Sequence, residues 1–295
     1  MKLSNYFEKE NILNDGYFDD LSYSNASGKN IMSFCDTISY LKIALENDDI
    51  SAIIIHKELV NEIKDTKKAI AFHKNPRDKF FDIYIHMQKN NLFLDTNKYG
   101  IDNSANIASS AIISPKSYIG KNSIISENVV IKDDVFIGDD CFIDAGAILG
   151  NEGILYKKDT NNNNIFIKHA GIVKIDSNVT ILSNAVIVKS VFKNMPTYIG
   201  EYSIIGIATT IGHEAHIDSN CRILGNCVVA KNTNIGSHTI VGSSSIIREN
   251  ITIGENCDIK AGSVVVKNLK DNQVVSGNFA LNHNQNVKNY FKSIK

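Results

Sequence analysis

The 295-residue chain lacks an excess of either charge: 31 Lys and Arg stand against 32 Asp and Glu, for a formal net charge of −1. No global basic field is present of the kind that draws in nucleic acid. A phosphate-bearing small molecule can still be held by local contacts. The chain also lacks any run approaching the ~20 apolar residues that span a bilayer, and Met1 to Glu8 has none of the apolar stretch of a signal peptide. Stable membrane insertion is therefore not expected, and a cytoplasmic location is. Cysteine is scarce, with five residues, an odd number without paired spacing. That excludes a disulfide framework and suits a reducing compartment.

What is present is a short period. Aliphatic residues stand at Ile107, Ile113, Ile119, Ile125, Ile131, Ile137, Ile143 and Leu149, six apart. The register breaks once, resumes at Ile175, Ile181 and Ile187, skips Lys193, and then runs without a slip from Ile199 to Val265. A period of six matches neither a helix nor a long strand, so one unit must be a short strand followed by a turn. Three units close one triangular coil, and stacked coils bury a continuous ladder of Ile and Val. The fifth residue of each unit fills the remaining interior with a small side chain, and Gly, Asn and Asp accept the corner conformations. Cys141, Cys221, Cys227 and Cys257 fall at that fifth position and read as small core residues.

Two segments depart from the period. Residues 150–174 read as an excursion loop, and long loops inside compact folds tend to be functional. Residues 193–198 form a degenerate unit with room for a smaller bulge. The Asn161 to Asn164 run, and the abundance of Asn, Lys and Ile, look compositional. Residues 1–103 have a different texture. Helical spacing over Thr37 to Leu45, short apolar runs at Ala52 to Ile55 and Ala69 to Phe72, and a helix from Pro76 to Met87 opened by Asn75-Pro76 predict a small α/β domain. Residues 104–270 are expected to form the coil. Residues 271–295 are a tail in which 282–295 predicts a short amphipathic helix capping the open end of the stack.

These features resemble, over nearly the full chain, UDP-3-O-acylglucosamine N-acyltransferase of the lipid A pathway and its relatives that acylate amino-sugar nucleotides for surface polysaccharides, lipopolysaccharide among them. Three features carry the likeness: the N-terminal α/β domain, the loop opening Gly150-Asn151-Glu152-Gly153, and the coil reading Ile211-Gly212-His213-Glu214. The resemblance implies a left-handed parallel β-helix, mainly β, with the small N-terminal domain and a short C-terminal helix, assembled as a homotrimer with its active sites between subunits. It also implies a nucleotide-linked amino sugar as acceptor, and acyl-CoA or acyl carrier protein as donor, without a metal.

Residue by residue, the resemblance puts His213 in the place of the catalytic histidine, taking the proton of the attacking sugar amine. Its third position in the repeat turns the side chain outward, toward a cleft. Acyl transfer from a thioester needs a neutral amine, a base and donors for the oxyanion; substrate-assisted transfer without a protein base is the competing reading. Phe34 and Tyr40, six apart, match the aromatic pair that holds the base. Thr37 stands where the family usually has Asn, which makes thymine as admissible as uracil. Glu152 is a candidate for binding the cationic amine and His216 for a substrate neighbour, whereas His238 reads as solvated surface. Arg248, Asn250, Lys260 and Lys267, in the late coils, are candidates for holding the donor. Gly206 replaces an Asp the family places seven residues before its histidine, Asn250 replaces a second family histidine, and the C-terminal extension is short. These departures favour a short-chain acyl-CoA over a long hydroxyacyl carrier protein. Two readings of other classes stand beside the enzyme: a noncatalytic β-helix scaffold, and a zinc carbonic anhydrase, whose three-His site does not match the spacing of His213 and His216.

Overall fold

The structure is a computed structural model that describes residues 1–64, 66–93, 97–277 and 283–293. Its N-terminal part is a five-stranded sheet of β1 (Ile12–Asn14), β2 (Asp20–Leu21), β3 (Ile31–Cys35), β4 (Ile50–His56) and β5 (Ala69–His73), in the order β1-β5-β4-β3-β2. The three central strands are parallel. Two faces of apolar side chains suit that burial, and β4 carries an unbroken run, Ala52 to Ile55, that is fully buried. Helices α1 (Ile38–Glu46) and α2 (Pro76–Lys89) pack on the sheet. Asn75 caps α2: its side-chain oxygen accepts from the Asp78 amide at 3.1 Å, and Pro76 occupies the first turn, where its missing N–H costs nothing. The apolar spacing anticipates β4, β5 and both helices. β3 is less visible, because Ser33 interrupts its apolar run.

The remainder is the expected left-handed parallel β-helix. Its strands, of two to four residues, form three parallel sheets of nine, eight and eight among the described residues. Ile205 pairs with Ile223 and Ile223 with Val241, so one coil takes 18 residues. The aliphatic residue of nearly every unit points inward, and Ile199, Ile205, Ile211, Ile217, Ile223 and Val229 have no exposed surface. Burying each such side chain stabilises the fold by roughly 1.5–3 kcal/mol. Strands begin at Gly100–Ile101 and continue to Val274–Val275, beyond both limits, 104 and 270, read from the repeat alone. Helix α3 (His283–Ser293) follows; residues 282, 294 and 295 of the predicted helix lie outside the described residues.

The corners explain the asparagines. Asn122, Asn128, Asn178, Asn184, Asn220 and Asn226 each occupy the fourth position of a unit with φ between 55° and 61°, the left-handed region that Asn tolerates better than most residues. Much of what looks compositional is thus corner chemistry. The Asn161 to Asn164 run has local work too: Asp159 accepts from the amides of Asn161 and Asn163 at 2.9 and 2.8 Å, closing a hairpin of Tyr156–Lys158 with Asn164–Phe166.

One edge of the prism, between the second sheet (strands such as Ile148–Asn151, Val186–Val188 and Thr210–Ile211) and the third (Val173–Ile175, Thr197–Ile199 and His216–Ile217), carries both insertions. Val135 pairs with Val173, 38 residues on, and Val173 with Thr197, 24 residues on, against 18 in a plain coil. The excursion therefore returns at Val173, and the degenerate unit is a second insertion that ends before Thr197. Leu155 and Ile167 of the first insertion, and Val191 and Phe192 of the second, enter one apolar cluster with Phe80, Phe81 and Tyr84 of α2. The two insertions are what fasten the N-terminal part to the coil.

Candidate active site

His213 sits on that edge, where the chain turns from the second sheet into the third. It stands outside the coil, as its place in the repeat predicts, yet is only 7% exposed because the insertions cover it. Its Nδ1 donates to Glu214 Oε2 at 2.6 Å. Glu214 is itself buried: its Oε1 accepts from the Val191 amide at 2.7 Å, and its own amide donates to Thr197 Oγ1 at 2.9 Å. A carboxylate on Nδ1 fixes the tautomer and leaves Nε2 with the lone pair. That is the arrangement of a general base.

Glu214 was not singled out from the sequence. Its signal was its position: it holds the left-handed corner, with φ 55°, where the next coils on the same edge have Asn232 and Asn250. A long acidic residue in that backbone conformation, beside a histidine, is out of pattern.

Glu214 lines a cleft of about 370 Å³ together with Tyr23, Phe34, Tyr40, Lys231 and Asn250. Three of the residues proposed from sequence, Phe34, Tyr40 and Asn250, therefore line one cleft with Glu214, the partner of His213. Phe34 does double duty, its ring lying 4.9 Å from that of Phe80 in the core, while Tyr40 is 56% exposed. Thr37 stands exposed at the head of α1 with no capping hydrogen bond from its side chain. Asn250 Oδ1 accepts from Asn232 Nδ2 at 2.9 Å, so it belongs to the ladder of corner residues above Glu214. Tyr23, Lys231 and Glu214 had no role in the sequence reading.

The other candidates lie elsewhere. Glu152 does not reach this cleft: it binds Lys189 Nζ at 3.3 Å and accepts from the His169 amide at 2.8 Å, which leaves it committed within the protein. It borders a separate hollow of about 470 Å³ with Lys132, Lys168 and His169. His216 lies out on the third sheet, stacked on Tyr198 at 4.5 Å, with Nε2 donating to Asp218 at 3.0 Å. Arg248, exposed beside Glu249 at 3.7 Å, and Lys267 share the edge of His213, in the second and third coils beyond it. Lys260 is on a different edge and is paired with Asp258. His238 is an exposed corner residue with φ 62°. At Gly206 a Cβ would stand 2.4 Å from the backbone of Leu224, so the Asp of the family pattern has no room in this coil.

A second histidine, absent from the sequence reading, completes the surroundings. The rings of His169 and His213 meet edge to face, with centroids 5.0 Å apart and planes at 79°. His169 is 2% exposed, and burial pulls its pKa below the ordinary imidazole value. Another concavity, of about 420 Å³, opens over Tyr118, Phe136 and Lys174 on the third sheet, away from the His213 edge, and its Asp176 is already bonded to Tyr198 and Lys174. Among the described residues no three His, Cys, Asp or Glu side chains form a group that could hold a metal. All five cysteines are buried free thiols, and no helix of the described residues is long and apolar enough to cross a membrane.

The chain is similar to hexapeptide-repeat acyltransferases of known structure. A family profile described as the GMPPB C-terminal domain matches residues 187–294. The UDP-N-acetylglucosamine acyltransferase from Campylobacter jejuni shares 22% identity over 65% of this chain and 83% of its own, with a TM-score of 0.49. The UDP-N-acetylglucosamine O-acyltransferase LpxA from Moraxella catarrhalis shares 24% over 64% of this chain and 75% of its own, with a TM-score of 0.40. PerB from Caulobacter crescentus, solved with CoA and GDP-perosamine, shares 16% over 77% of this chain and 68% of its own, with a TM-score of 0.21. No curated protein matches. At these identities the likeness is one of fold.

Proposed function

We propose that the protein is an N-acyltransferase that moves a short acyl group from acyl-CoA to the amine of a UDP- or dTDP-linked amino sugar, for surface polysaccharide synthesis. The observation that carries this reading is the His213–Glu214 pair, whose carboxylate lines a cleft shared with Phe34 and Tyr40. The aromatic wall offers ring faces to a nucleobase. The imidazole held by Glu214 offers a base to the amine.

In this mechanism the sugar nitrogen attacks the thioester carbonyl, an N–C bond forms, and the C–S bond breaks. His213 Nε2 takes the proton that the nitrogen sheds and returns it to the departing thiolate. Glu214 holds the ring in the competent tautomer and stabilises the imidazolium between those steps. Lys231, Arg248 and Lys267 lie along the same edge and are suited to the donor's phosphates, whereas Lys260, on another edge, is not part of this reading. Residues 1–103 then serve the nucleotide and residues 104–270 the acyl transfer.

A homotrimer fits the second sheet, whose outward row reads Ile112, Val130, Ile148, Val186, Thr210, Val228, Ile246 and Val264. Ile112, Val228, Ile246 and Val264 are 42–66% exposed in the single chain, an apolar stripe of the kind that marks an interface.

The test is thiol release with UDP- and dTDP-amino sugars against acetyl-, hydroxybutyryl- and longer donors, including hydroxyacyl carrier protein. Turnover with a short acyl-CoA and an amino-sugar nucleotide is expected, and turnover only with hydroxyacyl carrier protein would move the protein to the lipid A reaction. His213→Ala is expected to lose at least about 100-fold in kcat; near-normal turnover would remove the base and favour substrate-assisted transfer. Absence of sugar-nucleotide binding in calorimetry would point to a scaffold.

A further inference from the structure

His169 is built into the site by more contacts than a filler needs. Its Nδ1 donates to the Lys189 carbonyl at 2.8 Å, so in the neutral ring the lone pair is on Nε2. Its backbone amide donates to Glu152, and Glu152 in turn holds Lys189. The ring is therefore pinned from both insertions. Yet Nε2 is fully buried and has no hydrogen-bond partner. A buried acceptor left bare is uncommon and calls for an explanation.

Solvent does not reach that nitrogen. The aromatic ring that His169 meets is that of His213. A Cβ placed on Gly153 would lie 2.8 Å from His169 Cε1 and 3.0 Å from His213 Cδ2. Both rings therefore border the glycine at the mouth of the excursion loop. A side chain at 153 would wedge between them.

We propose that His169 is a positioning residue for acyl transfer: its uncharged imidazole, with Nε2 bare, stabilises His213 in the protonated form that follows proton abstraction from the substrate amine. This rests on the reading of His213 as base. The imidazolium would be held between the Glu214 carboxylate on Nδ1 and the electron-rich ring of His169 on its other flank. Burial and the nearness of His213 both disfavour charge on His169, so the two rings do not compete for the proton. Glu152 and Lys189, paired with each other, and Glu214 are bonded around the two rings, Lys132, Asp133 and Lys168 border the hollow beside His169, and the Tyr84 phenol lies behind Ala170.

Two substitutions separate this role from simple anchoring. His169→Asn can keep a donor to the Lys189 carbonyl but has nothing at the Nε2 position; His169→Gln can place an acceptor there. The protonation of His213 is followed by NMR in protein carrying ¹³C-labelled histidine, its signal assigned by comparison with His213→Gln, alongside kcat and KM across pH. In the Asn variant the His213 titration and the acid limb of kcat are expected to move to lower pH by about one unit, a tenfold change in proton affinity, with kcat down about tenfold and KM unchanged. The Gln variant should recover much of both. Rescue by Asn rather than Gln, equal losses with an unmoved His213 titration, or no loss in either variant would overturn the proposal. Turnover retained in His213→Ala would instead overturn the base assignment, and the NMR titration reads the coupling of the rings independently of it.

Discussion

At the scale of the residue, the proposed mechanism rests on Glu214 as much as on His213. Its left-handed backbone costs of order 1 kcal/mol in a side chain that is neither Gly nor Asn, and the bonds to His213 and to the Val191 amide offset that cost. Glu214→Gln leaves an oxygen for Val191 but removes the charge facing His213. Its kcat is expected to fall at least about tenfold with KM for the nucleotide little changed, measured by steady-state kinetics; undiminished kcat would show that the carboxylate does not support the base. Gly206 makes a complementary point. An acid at that place cannot fit against Leu224, and in this chain the acid beside the histidine is the adjacent residue instead.

At the scale of the element, helix α2 and the two insertions act as one clamp. The Tyr84 hydroxyl accepts from the Ala170 amide at 2.6 Å and reaches the carbonyls of Val191 at 2.9 Å and Lys168 at 3.1 Å, in a position where its ring has no exposed surface. Tyr84→Phe keeps the ring but strands three backbone groups. It should lower stability by about 1–3 kcal/mol, seen as a lower Tm and faster proteolysis between residues 152 and 172. An unchanged cleavage rate would mean that the clamp is held by apolar contacts alone. The existence of the insertions was legible, because a strict six-residue period makes any interruption visible. What they cover was not, since Leu155, Ile167, Val191 and Phe192 find their partners in residues more than 60 positions away.

At the scale of the whole molecule, the second sheet offers its aliphatic outward row while the third displays Tyr118, Phe136, Lys174, Tyr198 and His216 at the equivalent places. A charge on the aliphatic row should not trouble the folded chain, whose inward ladder is separate. Ile246→Lys is expected to keep the far-ultraviolet circular dichroism of the wild type but to shift sedimentation from trimer toward monomer and to reduce turnover. A trimer that persists would place the contacts on another face.

By itself the sequence determined the coil, its period and the outward turn of His213, because each repeat buries its own aliphatic residue against its neighbours and reports only on local geometry. It also marked Phe34 and Tyr40, through a spacing carried by resemblance. Only the tertiary structure decided that those two rings face the His213 edge, that Glu152 and His216 are committed elsewhere, and that His169 from the excursion loop lies against His213. Those contacts join segments separated by insertions of irregular chain, where no period links one residue to the next and the packing of α2 against both loops sets the geometry.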